Sequence, residues 1–289
     1  MTQENNELLK VNFDFKALDC CPICAGKVMV PNGSIRWLEI DFWYILCPDC
    51  GLKYMNPVPT RKSYQEFYKN LFWQQKIRNM GFHKSGQVWQ GGKHKWDNDE
   101  KWSPEFGIKN LSEKFKALRI DIITSSLREN ISLNSETHIL EIGCAFPVTL
   151  QYLKEKFNCH VYAIEPSEEA RRVIKEDRNI NLIGYNAEEV EDIKRQEIKF
   201  DAVILSHVLE NTTDPLQVIK DTSNCLNDHG VIYIQTPNLL VCDQMNPYHP
   251  YVFSVNSLML IAEKAGMEYV QISKTIERML TVILKKMLI

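Results

Sequence analysis

After Ser135 short apolar runs alternate with amphipathic stretches, and this alternation constrains the fold more than any other feature of the chain. Runs at 138–143, 160–165, 181–184, 201–205 and 231–236 read as strands, and 147–157, 167–177, 214–226 and 254–265 as helices. Strands this apolar, separated by helices, are buried on both faces, as in a parallel sheet with helices on either side. Ser167 precedes an acidic first turn, and Gly230 and Gly266 follow expected helix ends. Segments 269–274 and 278–285 read as a hairpin at the sheet edge. The expected fold is therefore α/β, a doubly wound sheet with an antiparallel C-terminal edge hairpin. Ligands of such sheets gather at the carboxyl ends of the strands near the switch point, here Gly143, Glu165, Ser206, His207 and Pro237.

The first 60 residues carry a different signal. Cys21-Pro-Ile-Cys24 and Cys47-Pro-Asp-Cys50 are two C-x-x-C turns separated by 22 residues, and two thiolates from each turn complete a tetrahedron. Such a closed four-thiolate set suits structural Zn²⁺, with strands at 28–30 and 35–46 joining the turns. Cys20 adjoins the first pair, but Cys21 gives the two-residue spacing. A ribbon this small has too little core to fold alone, so metal binding supplies its folding free energy. It has no dense Lys/Arg cluster with interleaved aromatics, so nucleic acid is not the expected partner.

Between these parts, 54–59 reads as an extended exit from the ribbon, 63–72 as a helix, and 111–129 as a helix entering the larger domain. Trp73, Trp89, Trp96 and Trp102 lie among His83, His94 and several glycines, a composition that suits either a lid closing over a ligand or a loop packed on the body. From Arg61 to Ile120 there are 13 Lys or Arg against 6 Asp or Glu, in a chain of net charge -3. That local excess suits an anionic substrate or a solvated basic surface. The expected organisation is a zinc module over 1–60, a lid and linker over 61–130, and a catalytic domain over 131–289. No stretch approaches the ~20 apolar residues of a membrane span, the start is polar, and 279–289 reads as a last strand. A cytoplasmic location, without membrane insertion, is expected; nothing in the sequence specifies an oligomeric state.

ILEIGCAFPVTL (139–150), VYAIEPS (161–167), FDAVILSHVLENTTDPLQVI (200–219) and GVIYIQTPN (230–238) together resemble the class I S-adenosylmethionine-dependent methyltransferases. The similarity is closer to the bacterial branch with an N-terminal zinc-binding module, whose members often modify sugars, and it extends to YHPYVFSVNSLMLIAEKAGMEYV (248–270). The resemblance implies a Rossmann-like methyltransferase sheet and S-adenosylmethionine as cofactor. It places Glu141, Gly143, Cys144, Ala145, Glu165, Pro166, Asn186, Ala187, Ser206 and His207 around that cofactor. Gly143 admits the methionine portion, Glu165 accepts from both ribose hydroxyls, and Asn186 offers a carbonyl to the adenine amine. Two departures stand out: Ala145 and Pro147 replace the second and third loop glycines, and Asn211 stands where many relatives have histidine.

For a hydroxyl acceptor, His207 is the first choice of base and His249 the second. The leading expectation is methylation of a sugar or other polar small molecule, including nucleotide-linked and anionic ones. The rivals are a tRNA or other nucleic-acid methyltransferase and a methyltransferase-like protein without catalysis.

Overall fold

The two cysteine turns repeat one hydrogen-bond pattern. Cys21 O accepts from Ala25 N at 2.9 Å and Cys47 O from Gly51 N at 2.9 Å, while Cys21 N donates to Gly26 O and Cys47 N to Leu52 O. Both knuckles end in the left-handed region, Ala25 at φ 62° and Gly51 at φ 69°. This computed structural model describes residues 13–37, 40–72, 82–84, 87–89, 113–177, 179–189, 198–241, 246–271 and 278–287.

The N-terminal strands are β1 (Phe15–Lys16), β2 (Val30–Trp37), β3 (Ile40–Leu46), β4 (Lys53–Met55) and β5 (Val58–Pro59), followed by helix α1 (Arg61–Asn70). Short strands β6 (Phe82–Lys84) and β7 (Gln87–Trp89) add to the edge of β2. The stretch expected as one strand over 35–46 is thus the inner part of a β2–β3 hairpin, and the strand expected at 28–30 begins only at Val30. Most of the tryptophan-rich segment, including Trp73, His94, Trp96 and Trp102, lies outside the described residues. A cluster of Phe13, Trp37, Phe42, Tyr44, Tyr64 and Phe67 packs the sheet against α1.

The larger half contains α2 (Glu113–Arg128), β8 (His138–Ile142), α3 (Val148–Phe157), β9 (His160–Ile164), α4 (Glu168–Glu176), β10 (Asn181–Gly184) and β11 (Phe200–Ser206). It continues through α5 (Pro215–Asn224), β12 (Leu226–Pro237), β13 (Tyr251–Val252), α6 (Val255–Lys264), β14 (Met267–Gln271) and β15 (Met279–Lys286). The seven-stranded sheet runs β10-β9-β8-β11-β12-β15-β14, parallel except for β15, which lies antiparallel between β12 and β14. The chain builds outward from β8 to β10 and then returns to β11 on the other side of β8. The switch point therefore lies between β8 and β11. The expected strands and helices appear with shifts of a few residues at their ends. One expectation fails: Gly230 does not follow a helix end. Helix α5 stops at Asn224 and Gly230 sits within β12, where an added Cβ would come within 2.8 Å of Leu226 Cβ and 2.9 Å of Phe200 O. Gly266, at φ 67°, ends α6 as expected.

The period-2 alternation of the strands separates two cores. Ile139, Val161, Ala163, Ala202, Ile204 and Tyr233 face α2 and α3. Leu140, Ile142, Val203, Leu205, Ile232 and Ile234 face the other way, in one cluster with α5, α6 and the cysteine module itself, including Cys21, Ile23, Cys47, Leu52 and Tyr54. Strand β13 leaves the large half to pair with β4 (Tyr251 with Tyr54, Val252 with Lys53), and Phe253, fully buried, bridges to Asn238. No helix among the described residues is long and apolar enough to cross a membrane.

A core shared in this way makes the halves interdependent. Phe253→Ala is expected to destabilise the protein by about 3–5 kcal/mol. Urea unfolding followed by tryptophan fluorescence and by far-UV circular dichroism should show coincident transitions, both shifted.

Candidate active site

The loop after β8 starts at Gly143, whose φ of 66° and close approach to Val208 both call for glycine: a Cβ would lie 2.7 Å from Val208 Cγ2. Two residues on, Ala145 also has a positive φ, 40°, and its N–H donates to Glu165 Oε2 at 2.9 Å. Glu165 Oε1 accepts from Ser167 N at 2.9 Å, so one carboxylate ties the β8 loop to the start of α4. Ser167 caps that helix as its sequence position predicts. Burial of Glu165 pushes its carboxyl up to about 7, against the pull of the Ser167 and Ala145 amides and of Arg171. Arg171 Nη1 donates to the Glu165 carbonyl at 3.0 Å and to the Gly184 carbonyl, and its guanidinium lies 3.5 Å from the centroid of the Tyr185 ring.

Glu141, fully buried in β8, accepts from Arg119 Nη2 at 2.7 Å; its Oε2 has no hydrogen-bond partner among the described residues. Burial raises its carboxyl, and the Arg119 charge opposes that rise. Cys144 is buried with its thiol pushed far up by desolvation, which keeps it neutral. Arg119 is a residue that sequence reasoning missed. Its signal was present, because it falls on the apolar stripe of α2, four residues after Phe115 and three before Ile122.

Asn186 donates from Nδ2 to Glu189 Oε1 at 2.7 Å, and Ala187 opens a one-turn helix, Ala187–Glu189. Pro166, Tyr185 and Asn186 line a cavity of about 320 Å³ whose opposite wall is α1, with Lys62 and Lys69. Arg61 also donates to the Glu188 carbonyl, so the N-terminal helix is fastened to this side of the site.

Beyond β11 the backbone turns at His207, φ 58°. The imidazole is partly exposed, and its Nδ1 lies 3.3 Å from Oε1 of Glu210, a carboxylate with no exposed surface. Burial alone would raise Glu210, but the His207 side chain 3.3 Å away and the electrostatic pull of the two histidines hold it below the usual carboxylate range, although neither of its oxygens meets hydrogen-bond geometry among the described residues. His249 arrives from far along the sequence with its Nδ1 buried and unpartnered among the described residues. Desolvation lowers its imidazole to about 4. His207 thus faces a carboxylate, Glu210, which the sequence reading passed over, and His249 lies within electrostatic reach of it. Asn211, in the position where relatives carry histidine, donates to the His207 carbonyl at 2.8 Å. Ser206 Oγ, at the end of β11, is buried without a partner among the described residues.

In the cysteine cluster the four sulfurs lie within 4.8 Å of one another, with Cys21 to Cys50 at 3.6 Å and Cys24 to Cys47 at 3.4 Å. The Cys50 hydrogen bond draws Cys21 down to about 5, whereas burial raises Cys24 to about 11 and the hydrogen bond to Cys21 drives Cys50 far up. Packed this closely, the thiols do not all ionise without a cation between them.

A doubly wound sheet with an acidic residue after its second parallel strand, a glycine loop after its first, and an antiparallel seventh strand defines the class I S-adenosylmethionine-dependent methyltransferase fold. Residues 112–272 match the family model described as a methyltransferase domain, and this chain belongs to that family. It is 27% identical over 115 residues to a malonyl-[acyl-carrier protein] O-methyltransferase of Bacillus anthracis, covering 39% of this chain and 42% of that one. It is 25% identical over 134 residues to a ubiquinone biosynthesis O-methyltransferase of Coxiella burnetii, covering 45% and 56% respectively. A tRNA U34 carboxymethyltransferase of Campylobacter jejuni is 29% identical over 105 residues, 32% of this chain and 35% of the relative. The matches therefore span about a third to somewhat over half of these relatives. Among solved structures, a SAM-dependent methyltransferase from Aquifex aeolicus is similar with a TM-score of 0.49 and 16% identity, over 65% of this chain and all of that one.

The raised carboxyl of Glu165 has a consequence for stability. With a folded pKa near 7 above an unfolded value of 4.5, the folded state binds the extra proton between those values, so this contribution is present below about pH 4.5 and is lost as pH rises through 7. Wild type is expected to lose up to about 3 kcal/mol relative to Glu165→Gln between pH 5 and 8. Parallel urea titrations of the two proteins across that range measure it.

Proposed function

We propose that this chain transfers the methyl group of S-adenosylmethionine to a hydroxyl oxygen of a sugar or another polar small molecule, with His207 as the proton acceptor. The observation that carries this reading is the His207–Glu210 pair at the switch point of the sheet. Glu210, ionised and buried, stands 3.3 Å from Nδ1 of His207 and favours a proton on that nitrogen, which leaves Nε2 as the basic atom. A hydroxyl held against Nε2 gives up its proton there as its oxygen takes the methyl group. The printed names of two relatives, both O-methyltransferases, support an oxygen acceptor.

The residues fit the cofactor. Two buried polar atoms without partners among the described residues, Glu141 Oε2 and Ser206 Oγ, stand near the ends of β8 and β11. Glu165 still has free lone pairs for the ribose hydroxyls, and Asn186 holds Glu189 through Nδ2, which leaves its side-chain Oδ1 as the acceptor for adenine. The bound sulfonium supplies an already electrophilic methyl, so the protein's task is alignment and proton removal. We propose further that Cys21, Cys24, Cys47 and Cys50 hold one structural Zn²⁺. Tetrahedral Zn–S bonds of about 2.3 Å set sulfurs roughly 3.8 Å apart, close to the observed 3.4 and 3.6 Å. A cytoplasmic setting, where thiols stay reduced, suits this cluster.

Calorimetry should show S-adenosylhomocysteine binding to metal-replete protein, and metal analysis one zinc per chain. Absence of binding rules out the enzyme reading. His207→Asn is expected to lower kcat about 10²–10⁴-fold on an accepted hydroxyl substrate while leaving S-adenosylhomocysteine affinity within threefold. Turnover of tRNA with steeply salt-dependent affinity, and none with sugars or sugar nucleotides, would replace the small-molecule reading.

A further inference from the structure

The segment that delivers His249 is held from end to end by the N-terminal sheet and helix α1. Tyr44 of β3 donates to the carbonyls of Asn246 at 2.6 Å and His249 at 3.0 Å. Tyr64 of α1 donates to the carbonyls of Tyr248 at 2.5 Å and Pro247 at 3.5 Å, and Tyr68, one turn on, reaches Tyr248 at 3.3 Å. Met55 N donates to the Pro250 carbonyl at 2.8 Å, and the next two residues form β13 on β4. The carbonyls from Asn246 to Pro250 all face donors of the N-terminal half, three tyrosine hydroxyls and one amide, with Tyr44 and Tyr64 each sharing a single proton between two carbonyls. The ring of Tyr248 is fixed as well, stacked on Phe67 at 6.0 Å and edge-on to Trp37 at 5.2 Å.

A segment with no regular structure would ordinarily turn its carbonyls to water. Here the carbonyls turn to the N-terminal sheet and α1, the Tyr248 and His249 amides fold back on Asn246, and the buried His249 Nδ1 has no hydrogen-bond partner among the described residues. We propose that the N-terminal half is a positioning element of the methyl-transfer site: the Tyr44 hydroxyl of the cysteine module and the Tyr64 and Tyr68 hydroxyls of α1 clamp Asn246–Pro250 and so fix where His249 stands relative to the His207–Glu210 pair. These tyrosines are positioning residues, since none touches the pair itself. Neutral near pH 7, His249 leaves His207 as the partner of the Glu210 charge. The titratable groups acting on His249 are Glu210 and His207. The proposal rests on the methyltransferase reading for its catalytic meaning, but the clamp is read in cofactor-free protein.

The test replaces hydroxyls at nearly constant volume, in Tyr44→Phe/Tyr64→Phe and, as a milder variant, Tyr68→Phe. Histidine ring resonances followed by NMR against pH, assigned with His207→Asn and His249→Gln, report the seating directly. In wild type, His249 is expected to titrate near 4. In the double variant it moves at least one unit toward 6.5, and amide exchange across 246–252 accelerates at least tenfold while zinc content and S-adenosylhomocysteine affinity hold. Tyr68→Phe gives a smaller shift in the same direction. Unchanged His249 titration and unchanged exchange in a folded double variant overturn the clamp; if the double variant does not fold, an unchanged Tyr68→Phe profile overturns it. Wild-type protein that fails to bind S-adenosylhomocysteine yet shows these shifts sinks the enzyme reading and leaves the clamp standing.

Discussion

The pairing of β4 with β13 is the contact on which the arrangement depends, because it joins a small cysteine module to a large sheet by backbone hydrogen bonds. A parallel sheet must be covered on both faces. On one face α2 and α3 do this, whereas on the other the module packs beside α5 and α6, placing Cys21, Ile23, Cys47 and Leu52 in the same core as Leu140 and Val203. The cysteine end of the module draws on the core of its neighbour, while the other end packs its own aromatic cluster against α1. A cation held by the cysteines, as proposed above, would stabilise the same folding unit that packing under the sheet does.

Three carboxylates buried near the ends of the central strands solve the problem of charge in a dry interior in three ways. Glu141 has Arg119, a full opposite charge at 2.7 Å. Glu165 has only backbone amides and the more distant Arg171, which leave its proton affinity raised. Glu210 has His207, and of the three only its carboxyl is pulled below the ordinary range. Burial is common to all, so the partner decides which of them carries charge near neutrality. The one most firmly ionised is the one facing a partly exposed imidazole, the arrangement a proton acceptor needs.

The strands and helices of the sheet were legible because each signals itself locally, through apolar runs, the Ser167 cap and Gly266. The cysteine turns were legible for the same reason. What escaped was everything fixed by distant pairing. Arg119 reads as one charge on an amphipathic helix until the fold places it over Glu141, 22 residues away. Glu210 carries no local signal, and only the fold buries it beside His207. Tyr44 and Tyr64 read as core aromatics, which they are, and their hydroxyls meet carbonyls 180 residues or more along the chain. Gly230 misled for a related reason: glycine serves a helix end and a crowded strand equally well, and the local sequence does not distinguish them.

The departures from the family pattern take on physical sense in the folded chain. Ala145 adopts a left-handed backbone that costs an alanine roughly 1–2 kcal/mol, yet the same conformation aims its N–H at Glu165, and a charge-assisted hydrogen bond of that kind offsets about as much. A glycine there would remove the strain but leave the loop more freedom to lose on folding. Pro147 sits at the cap of α3, where the amide it lacks has no helical acceptor. Asn211 uses its amide to hold the His207 carbonyl, which supports the positive φ that turns the imidazole toward Glu210. Each substituted residue therefore helps to shape the loop it occupies, and the crevice between β8 and β11 keeps its form without the second and third glycines.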